Sequence, residues 1–176
     1  MQTAPKITIY HANQCDPKRC TGLKLKRHRL ARIVSKTRFL PKRAVVLNPF
    51  SEIAFSPSDR KRIEDFGLVA LDCSWEHAQK VLGKQVKGTS RCLPILIAGN
   101  PVNFGKATKL TTAEALAAAL HIAGFREEAA KLLSIFTWGH TFTELNLARL
   151  ESYATALNSS EVVEIQRRIC EKGNQS

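Results

Sequence analysis

The chain has no acidic residue between Pro17 and Ser51. It has no CxxC pair, and its five cysteines (Cys15, Cys20, Cys73, Cys92 and Cys170) are odd in number, so neither a disulfide framework nor a zinc site is indicated. Neither GxGxxG nor GxxxxGK[ST] occurs, which disfavours an ordinary dinucleotide cofactor or a nucleoside triphosphate. HExxH is missing as well. No apolar run approaches the roughly 20 residues that a membrane-spanning helix requires. The opening "MQTAPKITIYH" lacks the apolar centre of a signal peptide, so a cytoplasmic protein is expected.

What remains is a globular composition, 44% hydrophobic and 24% charged in 176 residues, long enough for one domain or two small ones. The net charge is +12, from 27 Lys and Arg against 15 Asp and Glu. The acid-free stretch alone holds eleven basic residues, from Lys18 to Arg43, so nearly the whole excess sits in one segment. A polyanion is the natural partner for such a segment, because neutralised phosphates release counterions. Nucleic acid is favoured over a membrane surface, since few aromatics accompany the charge.

The first hundred residues alternate strand and helix signals. "KITIYH" reads as a strand, "QCDPKRCTG" as a loop with Thr21 as a helix cap, and "LKLKRHRLARIV" as a basic helix with Leu23, Leu30, Ile33 and Val34 inward. "AVVL", "LVAL" and "LPILIA" read as buried strands, and "SPSDRKRIEDFG" as a capped helix ending at Gly67. Ser74 can cap "EHAQKVLG". Continuous apolar strands between helices predict a mainly parallel sheet covered on both faces. From Leu110 onward only helices are expected. Capping boxes are read at Thr111 with Glu114 and at Thr141 with Glu144. The chain therefore divides into an α/β half, residues 1–92, and a helical half, residues 93–176.

In open parallel sheets, ligands bind beyond the carboxyl ends of the strands. Three strands are expected to end in polar loops there: "NPF", "DCSW" and "GNPVNFG". Asp72 would supply charge, Trp75 a flat apolar surface, and Asn100 and Asn103 amide groups, with Trp75 in the core and Asp72 as a helix cap as the plainer alternative. His11 lies near Cys15 and Cys20, but three ligands at irregular spacing do not make a metal site, so no metal is expected. Cys73 reads as a small buried side chain, since no histidine is close to it in sequence.

The strings "DPKRCTGLKL", "LNPFSEIAFSPSD", "GLVALDCSWE", "RCLPILIAGNPVNFGKATKLTTAEALAAAL" and "FTWGHTFTELNLARLESY" follow one another in an order that covers almost the whole chain. With them the chain resembles the small-subunit ribosomal RNA aminocarboxypropyltransferase family, in a compact archaeal form. "QCDPKRC" is also similar to a segment of the ribosome-recycling ATPase RNase L inhibitor, for which metal binding has been suggested. With two cysteines here, that suggestion is not carried over.

The resemblance implies a SPOUT-like fold with a deep trefoil knot and S-adenosylmethionine (SAM) in the cleft between the halves. It implies transfer of the 3-amino-3-carboxypropyl group, rather than the methyl, to nitrogen 3 of a hypermodified uridine, 1-methylpseudouridine, in small-subunit rRNA during ribosome biogenesis. Cofactor contacts then fall on Thr21, Leu71, Leu93, Thr108 and Thr112, with Leu47, Pro49 and Trp75 as an apolar wall. Thr108 stands where several relatives carry an aromatic residue, so its contact is assigned to the backbone. Lys18, Lys24, Lys26, Arg27, Arg32 and Arg91 are the expected RNA contacts, and a monomer without membrane association is expected. Asp72 is the one carboxylate of the group. It is read either as the base that takes the uridine imide proton or as the charge that orients the cofactor's ammonium. A SPOUT-type rRNA methyltransferase and a non-catalytic rRNA-binding assembly factor remain the other readings.

Overall fold

A computed structural model of the chain describes residues 4–84 and 86–173, without the side chains at positions 75, 83 and 84. Five strands form one sheet: β1 (Ile7–His11), β2 (Arg32–Val34), β3 (Val45–Leu47), β4 (Leu68–Asp72) and β5 (Thr89–Arg91). Their order is β2-β1-β4-β3-β5, and every pairing is parallel. Seven α-helices are described: α1 (Thr21–Arg27), α2 (Arg60–Phe66), α3 (Trp75–Lys84), α4 (Thr112–Ile122), α5 (Arg126–Ser134), α6 (Gly139–Ala154) and α7 (Ser159–Gly173).

Side chains alternate across a strand, and that alternation builds two cores. Ile7, Ile9, Val45, Leu47, Leu68 and Ala70 enter one cluster with the interior residues of α4, α5 and α6. Tyr10, Val46 and Val69 enter a second cluster with Val34, Leu40 and Val81, the last from α3. Both faces of the sheet are thus covered, as the apolar runs implied.

Helix α4 is the hub of the larger core. Residues from Ala113 to Ile122 are buried nearly all round, and the helix packs against α1, β4, α5 and α6. Five alanines in this helix keep its girth small, so sheet and helices approach it closely. The expected capping box holds: Thr111 Oγ1 accepts from the Glu114 N–H, and the Glu114 side chain accepts from the Thr111 N–H. Gly67 ends α2 with φ +89, and Ser74 Oγ accepts from the His77 N–H at the start of α3, both as read.

Four local expectations fail. Cys20, not Thr21, caps α1, and its Sγ accepts from the Leu23 N–H. The basic helix stops at Arg27 instead of running to Val34. Arg29 adopts φ +59, and the β-branched Ile33 and Val34 then gain ladder bonds to β1. Leu25, rather than Leu23, is its fully buried residue. The box at Thr141 and Glu144 does not form, because α6 has already begun at Gly139. The turn before it, where the Phe136 and Trp138 rings lie 4.8 Å apart, delivers the chain in helical conformation.

The fourth concerns "LPILIA". It is extended, yet it belongs to no strand of the sheet; the fifth strand is Thr89–Arg91 instead. On one side the segment pairs antiparallel with residues 106–108, the Ala98 N–H donating to the Lys106 carbonyl and the Thr108 N–H to the Leu96 carbonyl, and on the other side it meets helices. Asn146, fully buried on α6, donates to the Ile97 carbonyl and accepts from the Ile97 N–H, both at 2.8 Å. Gln166 of α7 accepts from the Ile95 N–H, and the Tyr153 hydroxyl donates to the Ile95 carbonyl. On the helical side, side-chain groups thus take the place of a partner strand, as buried backbone polar groups require.

Replacing Asn146 by Ala would strip the Ile97 N–H and carbonyl of partners in a dry interior. The expected loss in urea unfolding is roughly 2–6 kcal/mol, at about 1–3 kcal/mol for each of the two orphaned groups. A loss below about 0.5 kcal/mol would mean that water reaches the segment.

Candidate functional site

The carboxyl ends of β3, β4 and β5 face one cavity of about 560 Å³, a volume in the range of small-molecule sites. One wall is apolar: Leu47, Pro49, Ala70, Leu71, Leu93 and Pro94. The other carries the hydroxyls of Thr21, Thr108, Thr111 and Thr112. Asp72 is the carboxylate among the lining residues. Of the residues expected to hold the cofactor, Thr21, Leu47, Pro49, Leu71, Leu93, Thr108 and Thr112 all line this one cavity. The side chain of Trp75 lies outside the described residues.

The position of the cavity follows from the fold. Loops after β3 and β4 reach it, as read, but "GNPVNFG" does not follow a sheet strand. Asn100 and Asn103 are absent from the lining, and Asn100 is buried. Its Nδ2 donates to Glu114, and its Oδ1 accepts from the Asn103 N–H, so its amide shapes a loop rather than a ligand contact. Thr108 reaches the cavity with φ +63, and its N–H donates to the Leu96 carbonyl.

Asp72 ends β4 opposite His11 of β1. Its Oδ2 accepts from the Cys20 thiol at 2.9 Å and stands 3.7 Å from His11 Nε2. Gly22 permits this approach, since a Cβ there would come within 2.8 Å of Asp72 Oδ2. His11, Cys15, Cys20 and Asp72 therefore form one cluster of donor atoms beside the cavity. His11, Cys15 and Cys20 are close in sequence, where no metal site was expected, and Asp72 is far from them. Only the adjacency of β1 and β4 brings the fourth in.

Burial first, and then the hydrogen bond to Asp72, pushes the Cys20 thiol well above the ordinary range. Cys73 is pushed up to about 11 by burial and by the Asp72 charge, and its side chain packs with the second core. Cys92 is raised by burial. None of these three is a ready nucleophile at neutral pH.

The basic residues fall in two groups. Lys18, Lys26, Arg27 and Arg32 are exposed. Lys24 lies over the Phe136 ring, 4.9 Å from its centre. Arg91 stands apart, its Nε donating to the buried Asp59 at 2.9 Å, so it helps hold the turn before α2.

The family profile described as "Ribosome biogenesis protein, C-terminal" matches residues 45–170. One described as "Possible Fer4-like domain in RNase L inhibitor, RLI" matches residues 5–38. The chain is 52% identical over 162 residues to a 16S rRNA aminocarboxypropyltransferase of Methanosarcina acetivorans, covering 91% of each chain. It is 46% identical over 172 residues to that of Methanocaldococcus jannaschii, covering 98% of this chain and 100% of the relative. Among solved structures it is similar to the SAM-dependent rRNA:acp-transferase Tsr3 from Vulcanisaeta distributa. The TM-score is 0.84 at 36% identity, over 99% of this chain and 100% of that one.

A raised thiol stays protonated at neutral pH, so Cys73 should resist alkylation there. At pH 8 its thiolate fraction is about one in a thousand. Iodoacetamide followed by peptide mass spectrometry is expected to label the exposed Cys170 while Cys73 remains unmodified. Labelling of Cys73 at the rate of Cys170 would contradict both its burial and the direction of its shift.

Proposed function

The chain belongs to the 16S rRNA aminocarboxypropyltransferase family, and on that premise we propose that it is a SAM-dependent transferase that moves the 3-amino-3-carboxypropyl group to nitrogen 3 of a 1-methylpseudouridine in small-subunit rRNA. The observation that carries this reading is the cavity at the strand ends, where seven residues scattered from Thr21 to Thr112 converge. Its makeup fits the cofactor. The apolar wall of Leu47, Pro49, Leu71 and Leu93 suits an adenine and a methyl group, the threonines suit a ribose or carboxylate, and Asp72 suits a cationic end.

The bound cofactor supplies a sulfonium with three electrophilic carbons. The chain's part is selection, because the carbon aimed at the acceptor nitrogen is the one that reacts. Leu47 and Pro49 would hold the methyl against the apolar wall, and Asp72 would hold the ammonium of the amino-acid arm. Its Oδ2 already accepts from Cys20 and faces His11, which favours this orienting part over that of a free base. The exposed Lys18, Lys26, Arg27 and Arg32, with Lys24 beside them, bring the rRNA backbone to the cavity mouth.

The reading carries further expectations: a SPOUT-like arrangement with a trefoil knot, and two halves meeting near residue 92 with the cofactor between them. It also expects a monomer acting in the cytoplasm during ribosome biogenesis. Among the described residues no helix is long and apolar enough to cross a membrane.

Two labels separate the chemistries. Incubation with small-subunit rRNA and SAM labelled in the carboxyl carbon is expected to leave label in the RNA, while methyl-labelled SAM leaves none. The reverse pattern makes the chain a methyltransferase, and no label from either makes it a binding factor. For Asp72→Asn, SAM affinity and single-turnover rate should fall together, with no recovery at alkaline pH. A variant that binds SAM normally, loses rate by roughly 10²–10⁴-fold and recovers as pH rises would make Asp72 the base instead.

Charge reversal of Lys26, Arg27 and Arg32 to Glu tests the RNA face. RNA affinity is expected to fall and the slope of its logarithm against log salt to flatten by about one unit for each lost phosphate contact. SAM affinity should be unchanged. An unaltered slope would reduce the segment to a solvated surface.

A further inference from the structure

We propose that His11, Cys15, Cys20 and Asp72 bind one Zn(II)-class divalent cation in a tetrahedral site at the edge of the cavity. The distances carry the argument. His11 Nε2 lies 3.2 Å from Cys15 Sγ and 3.4 Å from Cys20 Sγ. Asp72 Oδ2 lies 2.9 Å from Cys20 Sγ, 4.0 Å from Cys15 Sγ and 3.7 Å from His11 Nε2. Zn–N and Zn–O bonds near 2.1 Å and Zn–S bonds near 2.3 Å make a tetrahedron with edges of roughly 3.3–3.8 Å. Every one of the five separations falls within about half an ångström of that range, so small side-chain shifts complete the geometry.

The surroundings suit a metal as well. His11 and Cys20 are buried, and Cys15 and Asp72 are half-buried, so the ion would be shielded from water. His11 Nδ1 has two partners on Asn13. Asn13 Oδ1 at 2.9 Å needs a proton on Nδ1, while the Asn13 N–H at 3.2 Å needs a lone pair there. The first arrangement leaves the Nε2 lone pair directed at the sulfurs, which is how a second partner prepares a ligating histidine. The Leu23 N–H donates to Cys20 Sγ from behind.

The donor set points to a single ion rather than a four-cysteine cluster. An iron–sulfur cubane is held by four cysteine thiolates, and only two stand here. Cys73 packs with the second core, Cys92 donates to the Pro49 and Leu93 carbonyls, and Cys170 lies on α7. Two thiolates, an imidazole and a carboxylate in tetrahedral array fit Zn(II) among the common divalent metals. The family match over residues 5–38 thus corresponds to a mononuclear site in this chain. Two thiolates and a carboxylate bring three negative charges and the ion two positive ones, so the loaded site keeps one negative charge beside the cavity. The ion would also tie the loop bearing Lys18 and Arg19 to the end of β4.

The test reads metal, not SAM or RNA, so it stands or falls apart from the proposed reaction. Full-length protein stripped by chelator under reducing conditions is titrated with Co(II). One equivalent is expected to bind, with intense visible ligand-field bands and thiolate-to-metal charge transfer in the near ultraviolet. One equivalent of Zn(II) should displace it. Cys20→Ser should abolish stoichiometric binding, and Cys170→Ser should leave it intact. Asn13→Ala changes an exposed side chain behind His11, so it keeps the test valid if a buried ligand variant fails to fold; circular dichroism checks each. Its Zn(II) affinity should fall by about 10–100-fold. Substoichiometric binding, a weak octahedral Co(II) spectrum, or unchanged affinity in a folded Cys15→Ser/Cys20→Ser variant would overturn the proposal. So would unchanged affinity in Asn13→Ala, which removes His11 from the site. Anaerobic reconstitution that yields acid-labile sulfide would replace the mononuclear ion by a cluster and overturn it too.

Discussion

A single buried carboxylate organises the chain between the sheet and its helices. Glu114 is fully buried, and each of its oxygens is shared among donors. Oε1 accepts from the N–H groups of Gly99 and Asn100, at 2.8 and 3.0 Å. Oε2 accepts from Asn100 Nδ2, the Thr111 N–H and the Thr111 hydroxyl, at 2.7–3.0 Å. A carboxyl group this deep is tolerable only when its oxygens are hydrogen-bonded, and here both are. The same contacts close the loop from Gly99 to Thr111 upon the start of α4. That loop brings Thr108, Leu110 and Thr111 to the cavity, so the shape of the candidate site depends on one side chain outside it.

A related economy joins the last helices to the rest. The extended segment from Leu93 to Ala98 lies outside the sheet, and beside its bonds to residues 105–108 the peptide groups of Ile95 and Ile97 would be stranded without partners. Asn146, Tyr153 and Gln166 meet it with side-chain groups at the spacing of alternate peptides. Gly99 then passes so close to α6 that a Cβ would come within 2.5 Å of the Phe142 nitrogen. These contacts are directional, unlike apolar packing. They fix the register of the segment against α6 and α7, and with it the position of Leu93 and Pro94 in the cavity wall.

Much of this was legible where one residue decides the local structure. Gly67, the Thr111–Glu114 box and Ser74 each act through a local geometric need that the sequence displays. The apolar runs gave a covered parallel sheet because alternate residues must face two cores. Failures came where neighbours in space decided. "LARIV" carries helical spacing and β-branched residues together, and the free edge of β1 tips it to a strand. A period of two in "LPILIA" announces an extended chain but not whether its partner is a strand or a row of side chains. Glu114 was legible as a cap, whereas its bonds to Gly99 and Asn100 depend on a loop that folds back. His11, Cys15 and Cys20 were visible together; Asp72, fifty-two residues beyond Cys20, joins them only through the pairing of β1 with β4.

That pairing also sorts charge. The basic residues of α1 and β2 lie on the outside, where Lys26, Arg27 and Arg32 meet solvent. Asp72 lies at the cavity in the same region, bonded to Cys20 and close to Gly22. A negative group half-removed from water acts over short range and strongly, whereas exposed lysines and arginines act over about 8–10 Å and fade with salt. In the proposed reaction the cofactor is cationic at its reacting end and the acceptor is a polyanion. An uninterrupted basic surface running into the cavity would repel the first while drawing in the second. In that proposal the inward carboxylate would offset the basic residues, Arg19 of the cavity lining among them, at the strand ends.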